Sequence, residues 1–377
     1  MQVKYVSKKE AIKISGVTKT QFENLILAGV ISEYYLDENK IGYDKDQIRR
    51  IKLIVKEVSI NDNKVDKSKV NLNDDFSEDN SQLDYFNQEN RRKADPRNKL
   101  NDLNGTEWLP ETKSYMYQKG LGSKHPHAQI EKMHPAPYSY QDIMRLIRFF
   151  TKIGDHVLDP FGGVGSTAKA CQLLDRRCTS VELSERWHDL SLRRLKEETR
   201  DFNLENHNFI LGDSTEILKE FPDKYFDFVV TSPPYWSILN KKADHKVIKN
   251  RLENNLATNY SQNGNDLGNI ENYEEFLKIL VDKIIFECGR VLKNDKYLCL
   301  VVSDFRNKSE FISFHSDLIQ KITKTNSMDF KLSLQGTKIL LQNHKSLLPY
   351  GYPFAYVENI HHQYILIFRK TKKMRDE

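Results

Sequence analysis

Nine residues, Asp159-Pro160-Phe161-Gly162-Gly163-Val164-Gly165-Ser166-Thr167, stand between an apolar run and a segment of helical periodicity. Glycines at such a turn let the backbone approach a ligand closely and adopt positive φ. Ser166 or Thr167 can cap the helix that follows, whose N-terminus favours an anion. No Gly-Lys-Ser/Thr follows, so the turn is not a P-loop. Strands are expected at 156–161, 178–183, 209–212, 226–231, 297–302, 331–334 and 363–368, with helices over 166–174, 185–200 and 273–292. The alternation predicts an α/β fold: a mostly parallel sheet, helices on both faces, and ligand-binding loops at the carboxyl ends of the strands.

Two acids fall at those ends. Glu182 closes the second predicted strand, where a carboxylate can accept both hydroxyls of a ribose. Asp213 closes the third, within reach of an adenine amine. Each acid alone reads equally well as a helix cap. Together with the glycine turn they point to an adenosine-type ligand.

The fourth strand runs into Thr231-Ser232-Pro233-Pro234-Tyr235-Trp236. The combination Asp-Pro-Phe-x-Gly-x-Gly and Ser-Pro-Pro-Tyr resembles the amino-methyltransferase family of DNA methyltransferases over about residues 98–370. The resemblance implies a Rossmann-like fold with a seven-stranded, mostly parallel sheet, and S-adenosylmethionine as cofactor. It implies cofactor contacts at Asp159, Phe161, Gly163, Gly165, Ser166, Thr167, Glu182 and Asp213, and a catalytic site at Ser232, Pro233, Pro234 and Tyr235. In this chemistry the lone pair of an exocyclic amine is delocalised into the ring, and acceptors must hold the amine protons. Ser232 and the Pro233 carbonyl would do so, with the prolines fixing the backbone. Tyr235 would offer a face to a flipped base. Methylation at ring carbon 5 needs a cysteine nucleophile, and none lies near the motif. Serine in the first position resembles the cytosine-N4 branch, with adenine-N6 as the alternative.

His134-Pro135-Ala136-Pro137-Tyr138 and the helical segment 142–150 resemble motif X of that family. They precede the glycine turn, and the catalytic motif follows it, as in the family's gamma arrangement. Members with this order often carry a large C-terminal recognition domain, for which little chain is left here. The polar insertion 238–269 is the alternative DNA grip, through Lys241, Lys242, Lys246, Lys249 and Arg251. Val302-Ser303-Asp304-Phe305-Arg306 ends the fifth predicted strand near the same face. His361-His362 lacks acidic or cysteine partners at ligand spacing, so no metal is expected.

The N-terminal residues 1–58 read as a helix-turn-helix domain, winged or MerR-like, that binds DNA. Ser7-Lys8-Lys9-Glu10 and Thr18-Lys19-Thr20-Gln21 are capping-box patterns ending at Gly16 and Gly29. A hairpin is expected around residues 37–40, and a third helix carries Arg49 and Arg50. Residues 59–97, rich in Asn, Asp, Lys and Ser, cannot bury enough apolar surface to offset their ordering entropy and read as a linker. The methyltransferase domain is expected over 98–377. Hydrophobic residues make up 38% of the 377 and charged ones 29%, with a net charge of +5, a mild surplus that permits nucleic-acid binding when basic groups are gathered locally. No apolar run is long enough to span a membrane, and the four cysteines form no Cys-x-x-Cys pair. A reduced, cytoplasmic location is the expectation. The partner is duplex DNA with a flipped base, and the family's setting allows a cognate restriction endonuclease. RNA methylation and a DNA-binding regulator with an inactive methyltransferase domain are the other readings.

Overall fold

The computed structural model describes residues 5–19, 22, 33–37, 40–45, 48–49, 93–118, 126–199, 203–236, 264–307, 310–325, 329–342, 345 and 347–372. They divide into two compact units, Met1–Arg92 with Leu121–Ala128, and Lys93–Gly120 with Gln129–Glu377.

In the first unit a helix spans Lys8–Ser15. The Ser7 hydroxyl accepts from the Glu10 N–H, and Gly16, at φ +76°, closes the helix by donating to the Ile12 carbonyl. Glu33–Asp37 and Lys40–Asp44 form an antiparallel hairpin, to which Tyr5–Val6 adds a third strand. Val6, Ala11, Phe22, Tyr43 and Ile48 make a small core. Most of the expected second and third helices, and the residues from 59 to 92, lie outside the described residues.

The second unit is built on eight strands: β1 (Tyr115–Tyr117), β2 (His156–Asp159), β3 (Arg177–Glu182), β4 (His207–Leu211), β5 (Phe226–Thr231), β6 (Leu292–Val302), β7 (Phe330–Leu341) and β8 (His362–Lys372). Their order is β1-β7-β8-β6-β5-β2-β3-β4. All pairs are parallel except β8 with its neighbours β7 and β6. The fold is therefore the expected Rossmann-like sheet, with the short β1 added at one edge. Three tyrosine- and methionine-rich residues are too few for a period-2 signal, which is why sequence reading passed over β1. Helices α1 (Tyr140–Phe150), α2 (Ser166–Leu173) and α3 (Glu185–Glu198) flank the sheet. The helix expected over 273–292 is interrupted. Helical residues Tyr273–Ile279 pass into a π-helical turn at Leu280–Ile285 and resume at Phe286–Val291. A further helix, Phe314–Lys324, packs Phe314, Leu318 and Ile322 into the core. Inner strands β2 and β5 are buried along their whole length, as parallel strands covered on both faces require.

Asp159 ends β2 and is fully buried. Its Oδ2 accepts from the Tyr138 hydroxyl at 2.6 Å and the Thr167 hydroxyl at 2.5 Å, and its Oδ1 from the Thr231 hydroxyl at 2.6 Å and the Phe161 N–H at 3.1 Å. Burial raises its pKa, and the four donors oppose that rise. One carboxylate thus joins the segment before α1, the glycine turn, the start of α2 and the end of β5. A second knot lies behind the turn. Arg194 of α3, also fully buried, donates to the Val164 carbonyl, the Ser166 hydroxyl, Glu131 and Glu198. Lys169 pairs with Glu198 at 2.6 Å and sits 3.7 Å from the Tyr140 ring centre, and burial lowers its pKa to about 8.

Gly162 is held by the bond from its N–H to the Val181 carbonyl, and a Cβ there would come within 2.0 Å of the Ser180 hydroxyl oxygen. We expect Gly162→Ala to lower stability by about 2 kcal/mol or more, with partial recovery in Gly162→Ala/Ser180→Ala. Asp159→Ala strands buried hydroxyl donors and should cost about 3 kcal/mol or more. Urea unfolding followed by circular dichroism measures both; unchanged midpoints would contradict this role for the turn.

Candidate active site

The carboxyl ends of β2, β3, β4 and β5 open onto one concave pocket with about 740 Å³ of empty space, counting open solvent at its mouth. Pro160, Phe161 and Gly163 of the glycine turn form one wall. Val181, Glu182 and Leu183 from the end of β3 stand beside them, backed by Trp187 of α3. Asp213 and Ser214 come from the end of β4, and Ser232, Pro233 and Pro234 from the end of β5. His134 and Ala136 approach from before α1, and Ile284 from the π-helical turn.

Glu182 is fixed by backbone. Its Oε2 accepts from the Gly163 N–H and its Oε1 from the Ser184 N–H, both at 2.8 Å. Gly163 has φ +49°, and the bond needs that turn. Desolvation raises the carboxyl pKa to about 7, although both N–H groups favour the ionised form. The carboxylate thus lines the pocket with its orientation set and its charge poorly compensated, ready for further donors. Asp213 caps the short helix Ser214–Ile217: its Oδ1 accepts from the Thr215 N–H and hydroxyl, each at 2.8 Å. It does so while lining the pocket, so capping and facing a ligand are compatible. The Ser214 hydroxyl donates to the Pro160 carbonyl and locks this turn to the glycine turn.

Ser232 is half-buried at the pocket's edge, and its Oγ lies 3.4 Å from the Tyr235 hydroxyl. Tyr235 packs its ring edge against Phe314, with centroids 6.2 Å apart, and accepts a bond from Gln363 at 3.0 Å. Burial raises its pKa. Next to it, Trp236 takes φ +45° and packs on Tyr273. Tyr235 does not line the pocket itself; its half-buried ring stands beside it.

The structure thus brings Phe161, Gly163, Glu182, Asp213, Ser232, Pro233 and Pro234 together. It places Asp159, Gly165, Ser166 and Thr167 differently from the expected cofactor contacts. All four are buried behind the turn. Asp159 and Thr167 bond each other, Ser166 donates to the Tyr138 carbonyl, and Gly165, at φ +74°, packs on Ser191. Asp159 already accepts four bonds in the core, and none of the four residues lines the pocket. Sequence reading missed His134, Trp187, Asn265 and Asp266 as lining residues. The first lay inside a recognised motif, and its ring meets Trp187 edge-on at 4.9 Å. The last two close the polar insertion, where Asp266 caps a helical turn by accepting from the Gly268 N–H. Nothing in their local pattern marks a return to the pocket. Lys241, Lys242, Lys246, Lys249, Arg251 and Arg50 lie outside the described residues, and Arg49 is exposed in the first unit. Burial raises the thiol pKa of Cys288 and Cys299, and no cysteine lines the pocket. Among the described residues no cluster of His, Cys, Asp or Glu is placed to hold a metal ion, and no helix is long and apolar enough to cross a membrane.

The residues present fit S-adenosylmethionine. An oriented, half-buried carboxylate suits vicinal hydroxyls, Phe161, Leu183 and Trp187 offer apolar faces to a base, and the close glycine turn admits a ligand backbone.

Parts of the chain are similar to the Type II methyltransferase M.SmaI of Serratia marcescens, with 32% identity over 108 residues, 29% of this chain and 30% of the relative. The Type II methyltransferase M.MjaI of Methanocaldococcus jannaschii is 38% identical over 94 residues, 22% of this chain and 29% of the relative. The matched stretches thus span less than a third of these two relatives. Among solved structures, TrmN from Thermus thermophilus aligns with a TM-score of 0.39 at 14% identity, over 66% of this chain and 52% of that one. A SAM-dependent methyltransferase from Methanosarcina mazei aligns with a TM-score of 0.36 at 15% identity, over 60% and 98%. The N6/N4 methyltransferase family model, described as DNA methylase, matches residues 30–193 and 226–376, most of the chain and every part of the pocket except Asp213 and Ser214. The chain belongs to the N6/N4 DNA methylase family.

Proposed function

We propose that this protein methylates the exocyclic N4 amine of cytosine in duplex DNA, with S-adenosylmethionine as methyl donor. The observation that carries the reading is the shared pocket: Ser232-Pro233-Pro234 lines the same cavity as Gly163, Glu182 and Asp213. When bound, the cofactor supplies an activated methyl group. Glu182 would hold its ribose hydroxyls and Asp213 its adenine amine, with Phe161 and Trp187 beside the base. Ser232 Oγ and the Pro233 carbonyl accept hydrogen bonds from the two N–H groups of the target amine and draw its nitrogen out of conjugation, and the one proton the methylated amine sheds passes to solvent. The carbonyl is aimed before substrate arrives, because proline fixes the backbone on either side of it. The half-buried ring of Tyr235 stacks on the flipped base. Serine at position 232 favours cytosine over adenine. The thiols of Cys288 and Cys299, buried and held protonated, support direct transfer without a covalent enzyme–base adduct.

The first unit would bind duplex DNA through Arg49 and Arg50, and the insertion through Lys241, Lys242, Lys246, Lys249 and Arg251. A cytoplasmic location and an associated restriction endonuclease complete the reading.

Ser232→Ala should leave cofactor affinity nearly intact and lower the single-turnover rate by roughly a hundredfold or more. A 5-fluorocytosine substrate should be methylated without trapping the enzyme; an enzyme–DNA adduct stable to denaturation would overturn the mechanism. Cofactor affinity should also follow pH. Glu182 is protonated below about 7, whereas hydroxyl donors bind its ionised form. Affinity should therefore rise as pH climbs through 7, with proton release on binding, and Glu182→Gln should flatten the profile. Calorimetry in buffers of different ionisation enthalpy reads both; a pH-independent wild type removes Glu182 from the site. Arg49→Ala/Arg50→Ala should weaken DNA binding and make its salt dependence shallower by about one unit of slope per lost phosphate contact. An unaltered slope in fluorescence anisotropy would assign the first unit another task.

A further inference from the structure

Three glutamines meet at the edge of the sheet that carries the Ser-Pro-Pro-Tyr turn. Gln118 follows β1, Gln342 follows β7 and Gln363 opens β8. Because β8 runs antiparallel to both β6 and β7, its start lies at the edge where β5, β6 and β7 end, and β1, parallel to β7, ends there too. Gln342 Nε2 donates to Gln118 Oε1 at 3.0 Å and to Gln363 Oε1 at 3.2 Å. Gln363 Nε2 in turn donates to the Tyr235 hydroxyl at 3.0 Å, which lies 3.4 Å from Ser232 Oγ. Gln342 is buried, 5% exposed.

Gln342 is buried between two half-buried glutamines, and its amide is held through its nitrogen alone, its Oε1 having no partner among the described residues; buried amides that pair this way favour one direction. The direction here has a chemical consequence. Both protons of the Gln342 amide are spent on neighbouring glutamine oxygens, which leaves the amide nitrogen of Gln363 facing Tyr235. The phenol oxygen then accepts, and its own proton is free to be donated. The hydroxyl within reach is that of Ser232. The contact with Phe314 fixes the edge of the Tyr235 ring but not the rotation of its hydroxyl. Gln363 supplies that missing constraint, and Gln118, after β1, braces it from behind through Gln342.

We propose that Gln363, braced by Gln342, is a positioning residue for methyl transfer, acting through the Tyr235 hydroxyl on Ser232. The inference rests on the amino-methyltransferase reading above. It assigns to the β7–β8 hairpin a part in the chemistry that the motif alone does not contain.

The test is a double-mutant cycle on the full-length protein, with Gln363→Leu, Tyr235→Phe and their combination. Tritiated methyl transfer to duplex DNA is measured in single turnover, alongside cofactor affinity by calorimetry. Gln363→Leu should slow transfer by roughly five- to tenfold, the range that one neutral hydrogen bond commands, with cofactor affinity unchanged. In the Tyr235→Phe background, where no hydroxyl is left to orient, the same substitution should add about twofold or less. Gln342→Leu should act in the same direction, more weakly. A second readout is independent of turnover: with 13Cζ-labelled tyrosine, the Tyr235 resonance, assigned by its loss in Tyr235→Phe, should shift in Gln363→Leu. Multiplicative rate effects in the cycle, or an unmoved Tyr235 resonance, would overturn the proposal. A wild-type protein that binds cofactor but transfers no methyl to DNA would overturn the functional reading instead, with the resonance still deciding whether Gln363 governs Tyr235.

Discussion

The buried carboxylate of Asp159 is the interaction on which the site depends. It collects three hydroxyls and one N–H from four separate segments. Each donor belongs to a piece of chain that builds the pocket: the segment leading to α1, the glycine turn, the first turn of α2, and the end of β5 just before Ser232. An isolated carboxylate in that position would be prohibitive. Fully bonded, it makes the relative placement of the glycine turn and the Ser232-Pro233-Pro234 turn a single event. The Arg194 knot behind Val164 holds the outer side of the same turn. The turn can therefore present bare backbone to a ligand without support from the ligand.

Glu182 shows the complementary strategy. Two N–H groups aim the carboxylate, yet its pKa stands near 7 because burial outweighs them. Fixed orientation with incomplete charge compensation is a binding group's environment: ligand donors add what the protein leaves out. Asp159 and Glu182 lie one strand apart and end in opposite roles, one saturated by the core and the other open to the pocket.

That contrast also marks what was legible in sequence. The sheet, its mostly parallel order and the pocket-facing positions Glu182, Asp213 and Ser232 follow from strand ends and motif spacing, because parallel strands deliver their carboxyl ends to one edge. The burial of Asp159, Ser166 and Thr167 was not legible. A turn's sequence gives the backbone's permissions, not which side chains rotate inward, and only the hydroxyls of Tyr138 and Thr231, distant in sequence, reveal it. The interrupted helix 273–292 was hidden for a similar reason. Leu280, Val281, Ile284 and Ile285 are all buried, so tertiary packing rather than periodicity decides where the turn widens. The glutamine row was invisible because its members come from three strands, and no local pattern marks them.

The account's central claim is that the pocket serves amine methylation. Its most direct test is mass spectrometry of nucleosides digested from DNA treated with the protein and isotopically labelled S-adenosylmethionine, with Ser232→Ala as control. The predicted result is labelled N4-methylcytosine, strongly reduced in the variant. Label on the adenine N6 amine would change the target base and leave the chemistry intact; label on carbon 5 of cytosine would contradict the account.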